Sequence, residues 1–136
     1  MSGTGKIAEL VKKLDAMASP AFREGIAKKL ADEAARQYRA DFAKQQDPYG
    51  ATWAKGKKKI GKTLIRTGYL RASGEVEQVS AEGFRFRVYA PYATYHQTGT
   101  TRSPQRMIVP SARYGLGTWG APFNRVAAAA IKGLLK

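Results

Sequence analysis

Two prolines bracket the stretch that most constrains this chain. Ser19-Pro20 opens it and Asp47-Pro48 closes it. Ser19 offers a side-chain oxygen to cap a helix, and Pro20 falls at the first helical position, where a missing N–H costs nothing. Phe22, Ile26, Leu30, Ala34, Tyr38 and Phe42 then recur every four residues, an apolar stripe that drifts slowly around one helix face. Pro48 disfavours helical geometry in the residue before it, so the helix is expected over 20–46. At about 1.5 Å per residue such a helix is a rod of roughly 40 Å. That is long for a chain of 136 residues. It is expected to pack on a sheet along part of its length and to offer the rest to neighbours.

The other elements follow from periodicity. Ile7, Leu10, Val11, Leu14 and Met17 follow the i, i+3, i+4, i+7 rule and predict an amphipathic helix over 5–17, with Thr4 as its cap. Residues 48–63 mix Pro, Gly and lysines around Trp53 and predict a basic loop anchored by that tryptophan. Thr67 is placed to cap a short helix that holds Leu70 and ends near Ser73-Gly74. Phe84, Phe86 and Val88 alternate with Arg85, Arg87 and Tyr89, which predicts a strand. Val76 to Ser80 is a weaker strand, and the short Ala81-Glu82-Gly83 link makes the two an antiparallel hairpin. Met107-Ile108-Val109 is an apolar run expected to form a further strand within a β region of 75–110. Residues 111–120 carry three glycines and read as loop. Phe123, Val126, Ala127, Ala130, Ile131, Leu134 and Leu135 share one face of a closing helix over 121–135. The expectation is one α+β domain over 1–136, with long N-terminal helices and a C-terminal helix packed on a small antiparallel sheet.

Charge narrows the class of partner. The chain carries +14, unevenly divided: residues 1–47 hold 9 basic and 7 acidic residues, and residues 48–136 hold 15 basic and 3 acidic. No acid follows Glu82. A field this one-sided favours a polyanion or an acidic protein surface. There is no cysteine, which excludes disulfides, thiolate nucleophiles and Cys-based metal sites. No apolar run reaches the ~20 residues needed to span a bilayer, and residues 1–6 do not resemble a secretory signal. The protein is therefore expected to act in the cytoplasm where it is made, or in a particle assembled there, without a membrane partner.

Catalysis finds little support. Gly56-Lys57-Lys58-Lys59-Ile60-Gly61-Lys62-Thr63 matches the phosphate-binding string G-x-x-x-x-G-K-[ST]. That loop must follow a buried strand and open a helix, so that backbone N–H groups cradle the phosphates. Residues 47–55 are not such a strand, and none of Glu75, Glu77 and Glu82 follows an apolar run as a Mg²⁺-binding acid would. His96 is the only histidine, with no acid within ten residues, so it is expected to be a hydrogen-bonded residue that positions the Tyr92–Gly99 loop. No cluster of His, Cys or carboxylate ligands suggests a metal. The chain is expected not to be an enzyme and to need no cofactor. Lys55, Lys57, Lys58, Lys59, Lys62, Arg102 and Arg106 are the candidate contacts to DNA or an acidic partner. Without interleaved aromatics or a helix-turn-helix, any DNA contact is expected to be unspecific and salt-sensitive.

Three segments carry a resemblance by their order and spacing. They are Asp47-Pro48-Tyr49-Gly50-Ala51-Thr52-Trp53, then Leu64-Ile65-Arg66-Thr67-Gly68-Tyr69-Leu70-Arg71-Ala72-Ser73, then Tyr92-Ala93-Thr94-Tyr95-His96-Gln97-Thr98-Gly99-Thr100. Together, over about residues 20–135, they resemble the virion-morphogenesis or tail-completion proteins of tailed bacteriophages, which include the head–tail joining proteins of the neck. The chain departs from that family at Pro104-Gln105-Arg106-Met107-Ile108-Val109, where Pro-Ala-Arg-Pro-Phe-Leu is frequent, and in its glycine-rich stretch 114–120. The resemblance implies Trp53, Thr67, Gly68, Leu70, Tyr92, His96 and Gly99 as structural motif residues. It also implies a homo-oligomeric ring, commonly a hexamer. Such a ring joins head and tail between a head-connector or head-completion protein and a tail terminator or tail tube protein; the one-sided basic charge suits either a bore that passes DNA, contacted without specificity, or an acidic neighbouring ring. The expected location is the virion, and the host bacterial cytoplasm during assembly. The alternative expectation is a stand-alone basic nucleic-acid-binding module without sequence specificity.

Overall fold

The computed structural model describes residues 3–54, 68–101 and 104–135. Helix α1 spans Gly3–Ala18, so Thr4 lies inside it rather than capping it. Helix α2 spans Pro20–Lys44, with Ser19 alone between the two. Ser19 Oγ accepts from Phe22 N at 3.2 Å and donates to the Ala16 carbonyl at 2.7 Å, so one hydroxyl serves both helix ends. At its C-terminus α2 stops at Gln45, which takes a left-handed conformation (φ 58°). Its end thus lies two residues before the predicted Gln46, because the cap forms ahead of the proline.

The turn after α2 explains why Asp47, Pro48 and Gly50 stand together. Asp47 Oδ1 accepts from Tyr49 N at 2.8 Å and from Ala51 N at 2.9 Å, and the Asp47 N–H donates to the Ala51 carbonyl at 2.8 Å. The chain reverses, Gln46 bridges Thr52, and Trp53 N donates to Gln45 O at 2.9 Å. The Trp53 ring is thereby brought back edge-on to Phe42, 5.0 Å between centroids.

The remaining elements are helix α3 (Tyr69–Ala72), strands β1 (Gly74–Ser80) and β2 (Gly83–Val88), helix α4 (Ala93–Thr98), a 3₁₀ turn at Gly117–Trp119, and helix α5 (Gly120–Leu135). The strands pair antiparallel with Val76 opposite Phe86 and Glu77 opposite Arg85, and a bulge at Gln78 (φ 56°) shifts the register before Ser80 meets Gly83. The fold is α+β: long N-terminal helices and a C-terminal helix with a two-stranded antiparallel sheet, and α2 touches β1, β2 and α5.

The core lies along the C-terminal half of α2. Ala34, Tyr38 and Phe42 are buried there with Trp53, Leu70, Ala90, Ala93, Ile108 and Trp119. Phe22, Ile26 and Leu30, on the N-terminal half of the same stripe, are only half-buried. Two further expectations are corrected. Met107-Ile108-Val109 is not a strand: the Ile108 and Val109 N–H groups donate to Gln97 Oε1 at 2.9 and 3.2 Å, so a side chain satisfies the backbone where a ladder would have. Tyr92–Gly99 is not a loop either, since α4 occupies Ala93–Thr98.

Candidate functional site

Trp53, Gly68 and Leu70 stand on either side of the lysine-rich segment 55–67, which lies outside the described residues. Trp53 is buried and its Nε1 donates to the Met107 carbonyl at 2.9 Å. One residue on, the Ala54 carbonyl accepts from Arg106 Nε at 2.6 Å. On the far side of the segment, Gly68 takes a left-handed φ of 73° and precedes α3 without a side-chain cap bond. Leu70 is 2% exposed, and its carbonyl accepts from Tyr38 Oη at 2.6 Å and from Ser73 Oγ at 2.8 Å. Burial pushes the Tyr38 hydroxyl well above its usual pKa, so it stays a donor at any ordinary pH. The described residues on both flanks are therefore tied to buried groups of the core.

Helix α4 supplies the third part. Tyr92 stands edge-on to His96 at 5.8 Å and near Tyr69 at 6.2 Å. The His96 carbonyl accepts from Arg106 N at 2.7 Å, and Gln97 Nε2 donates to the Val109 carbonyl at 2.9 Å. Gly99 ends the helix at φ 76°, where a Cβ would stand 3.0 Å from Gln105 N, so only glycine lets the 104–110 segment approach. Tyr92 to Gly99 is thus a clamp on residues 105–109.

Arg106 differs from its expected role as a surface contact. It is 8% exposed, with Nε on the Ala54 carbonyl, so it braces the chain entering the basic segment. His96 also differs. Among the described residues its Nδ1 is buried without a hydrogen-bond partner; the backbone carbonyl takes the hydrogen bond from Arg106, and the ring packs against Tyr92. Lys55, Lys57, Lys58, Lys59, Lys62, Thr67 and Arg102 lie outside the described residues, as does the Gly56–Thr63 string.

Burial, and then the charge of Arg106, lower the His96 pKa from its usual 6.5. The unfolded chain takes up the proton near pH 6.5, while the folded chain resists it. The stability present above that pH is lost as pH falls through 6.5 toward the lower folded value. Replacing His96 by Gln removes this contribution. The melting temperature of the wild-type chain is expected to fall more steeply between pH 7.5 and 5 than that of His96→Gln. Equal slopes in paired thermal melts would contradict it.

Two residues escaped sequence reasoning. Trp119 is 3% exposed and donates from Nε1 to Asp41 Oδ2 at 2.8 Å. Asp41 is 2% exposed; burial raises its pKa, and hydrogen bonds from Trp119 and Gln46 act in the opposite direction. The glycine-rich stretch is fastened to the Asp47 turn. Tyr49 Oη accepts from Ser111 N at 2.9 Å and donates to the Gly115 carbonyl at 2.7 Å, and Thr118 N donates to the Pro48 carbonyl at 2.6 Å. No periodicity marks residues 111–120, and a tryptophan between glycines was the one available signal.

A second surface stands out by exposure. Ile7, Leu10, Val11 and Leu14 on α1 are 64%, 50%, 49% and 49% exposed. They form a contiguous aliphatic stripe on one helix face, while Lys13, Ala16 and Met17 turn inward and Lys13 Nζ donates to the Leu135 carbonyl at 3.2 Å. Among the described residues no three His, Asp or Glu side chains gather as a metal site would require, and no helix is long and apolar enough to cross a membrane. No family model matches the chain, and neither the curated proteins nor the solved structures contain a match to it.

Proposed function

We propose that this chain is a non-enzymatic structural subunit of a tailed-phage particle that assembles with copies of itself into a ring, favoured as a hexamer, at the head–tail junction. In this reading it lies between a head-connector or head-completion protein and a tail terminator or tail tube protein, and it works in the virion after assembly in the host cytoplasm. The resemblance of the three ordered segments supplies the phage setting. The observation that carries a self-assembling role is the bare aliphatic stripe of α1. Four large aliphatics on one exposed face form the kind of patch that marks a protein–protein surface.

The charge fits the same reading. A net +14 on each copy, multiplied around a ring, needs an anion or wide spacing to offset repulsion, which suits a bore that passes DNA or an acidic neighbouring ring. The clamp of Tyr92–Gly99 and the bracing by Arg106 give the basic segment a fixed base from which to meet such a partner.

Native mass spectrometry across a range of protein concentrations is the test. A discrete species of several copies is the expected result. A chain that stays monomeric, even when mixed with connector or tail proteins, would sink the proposal. The charge also favours a second reading, an unspecific nucleic-acid-binding module. That reading predicts a monomer whose DNA affinity falls steeply with salt, with a shallower slope for Lys57→Ala, Lys58→Ala and Lys59→Ala combined.

A further inference from the structure

The α1 stripe is not the only uncovered apolar surface. Ile26, Leu30 and Phe84 line an open groove of about 410 Å³ between the first turns of α2 and the tip of the β1–β2 hairpin. Arg23 stands on the α2 rim of this groove and Glu82 on the hairpin rim. We infer that the α1 stripe of one copy docks in the α2–hairpin groove of a second copy, so that every subunit donates a helix and receives one. This rests on the self-assembling reading above and names the contact that would build it.

The chain's own α1 is a poor occupant. Antiparallel helices need a connection of about 2–5 residues to fold back on each other. Here Ser19 alone separates Ala18 from Pro20, and the groove begins at Arg23. α1 is also held elsewhere, in contact with α5 through Lys13 and the Leu135 carbonyl. A helix supplied by another copy has no such restriction.

Shape and charge fit that occupant. The stripe is convex, its residues at the i, i+3, i+4, i+7 spacing that lays a helix into a groove. At about 3.6 residues per turn, Asp15 falls on one flank of the stripe and Lys6 on the other. Opposite them, the groove rims offer Arg23 and Glu82, so Asp15 meets Arg23 and Lys6 meets Glu82 in one docking direction. All four are exposed, and none takes part in an ion pair among the described residues. Because donor and acceptor surfaces differ, the contact is head-to-tail, and repetition closes into a ring where the rotation allows.

Paired variants separate donor from acceptor. The full chain with Leu10→Asp and Leu14→Asp keeps its groove and loses its stripe, whereas Ile26→Asp keeps its stripe and loses its groove. Each alone is expected to be monomeric by native mass spectrometry, and an equimolar mixture is expected to give a 1:1 dimer that grows no further. The Leu10 and Leu14 side chains are half-exposed, so their loss does not open the core. A second pair avoids the groove floor: Arg23→Glu is expected to weaken assembly at least tenfold, and Asp15→Lys in the same chain is expected to restore it. If the wild type assembles and the stripe variant assembles equally well, the ring stands and this contact is wrong. Monomeric variants that do not pair in the mixture also overturn it. A wild type that is monomeric throughout removes both the contact and the ring.

Discussion

Phe42→Ala is expected to lower unfolding stability by about 3–5 kcal/mol, the range for deleting a buried phenylalanine side chain. Phe42 is fully buried, with Tyr38 edge-on at 4.9 Å and Trp53 at 5.0 Å. Removing the ring leaves a void between the helix that carries Tyr38 and the turn that carries Trp53. The cost is large against a total of about 5–15 kcal/mol for an ordinary domain, so the variant is expected to lose at least about a fifth of its stability. Phe42→Leu retains much of the volume and is expected to lose less than half as much. Urea melts followed by tryptophan fluorescence check both variants, because Trp53 reports directly on this contact. A loss under about 1 kcal/mol for Phe42→Ala would contradict the placement of the core.

Gly117→Ala is expected to be the next most damaging change. Gly117 has φ 58°, in the left-handed region, and a Cβ built there would collide with the Pro48 carbonyl oxygen and stand 2.6 Å from the Tyr49 ring. Left-handed strain costs on the order of 1–3 kcal/mol for a residue with a side chain. The collision adds to that by pushing Thr118 N off the Pro48 carbonyl, which it reaches at 2.6 Å. Trp119 follows two residues later, so the displacement reaches its bond to Asp41. The expected result is a loss of about 2–4 kcal/mol together with a shift in the fluorescence of Trp119. Gly115→Ala makes a useful comparison, since a Cβ there meets open space and only the φ of 77° is strained.

Much of the fold was legible because single residues mark its boundaries. Ser19 and Pro20 fix the start of α2, and the period of two in Phe84, Phe86 and Val88 fixes β2. The failures have a common physical origin. Met107-Ile108-Val109 is apolar because Ile108 is buried, and an apolar run of three does not reveal whether a neighbouring strand or a Gln97 side chain takes its N–H groups. Trp119 has no periodic neighbours, and its acceptor Asp41 is 78 positions away. For α1 the pattern announced an amphipathic helix and said nothing of what covers its apolar face. Arg106 read as one more basic surface contact and His96 stood out as the single histidine, but burial set their roles, and burial is a property of the whole fold.

Self-assembly is the claim on which the functional account depends. Single-particle electron microscopy of the purified full chain tests it most directly, because symmetry and a central opening are visible without knowledge of any partner. The account predicts particles with rotational symmetry, several copies around an open centre, that disperse when Leu10 and Leu14 are both replaced by Asp. Particles no larger than one copy, at every concentration and with connector or tail proteins present, would contradict it.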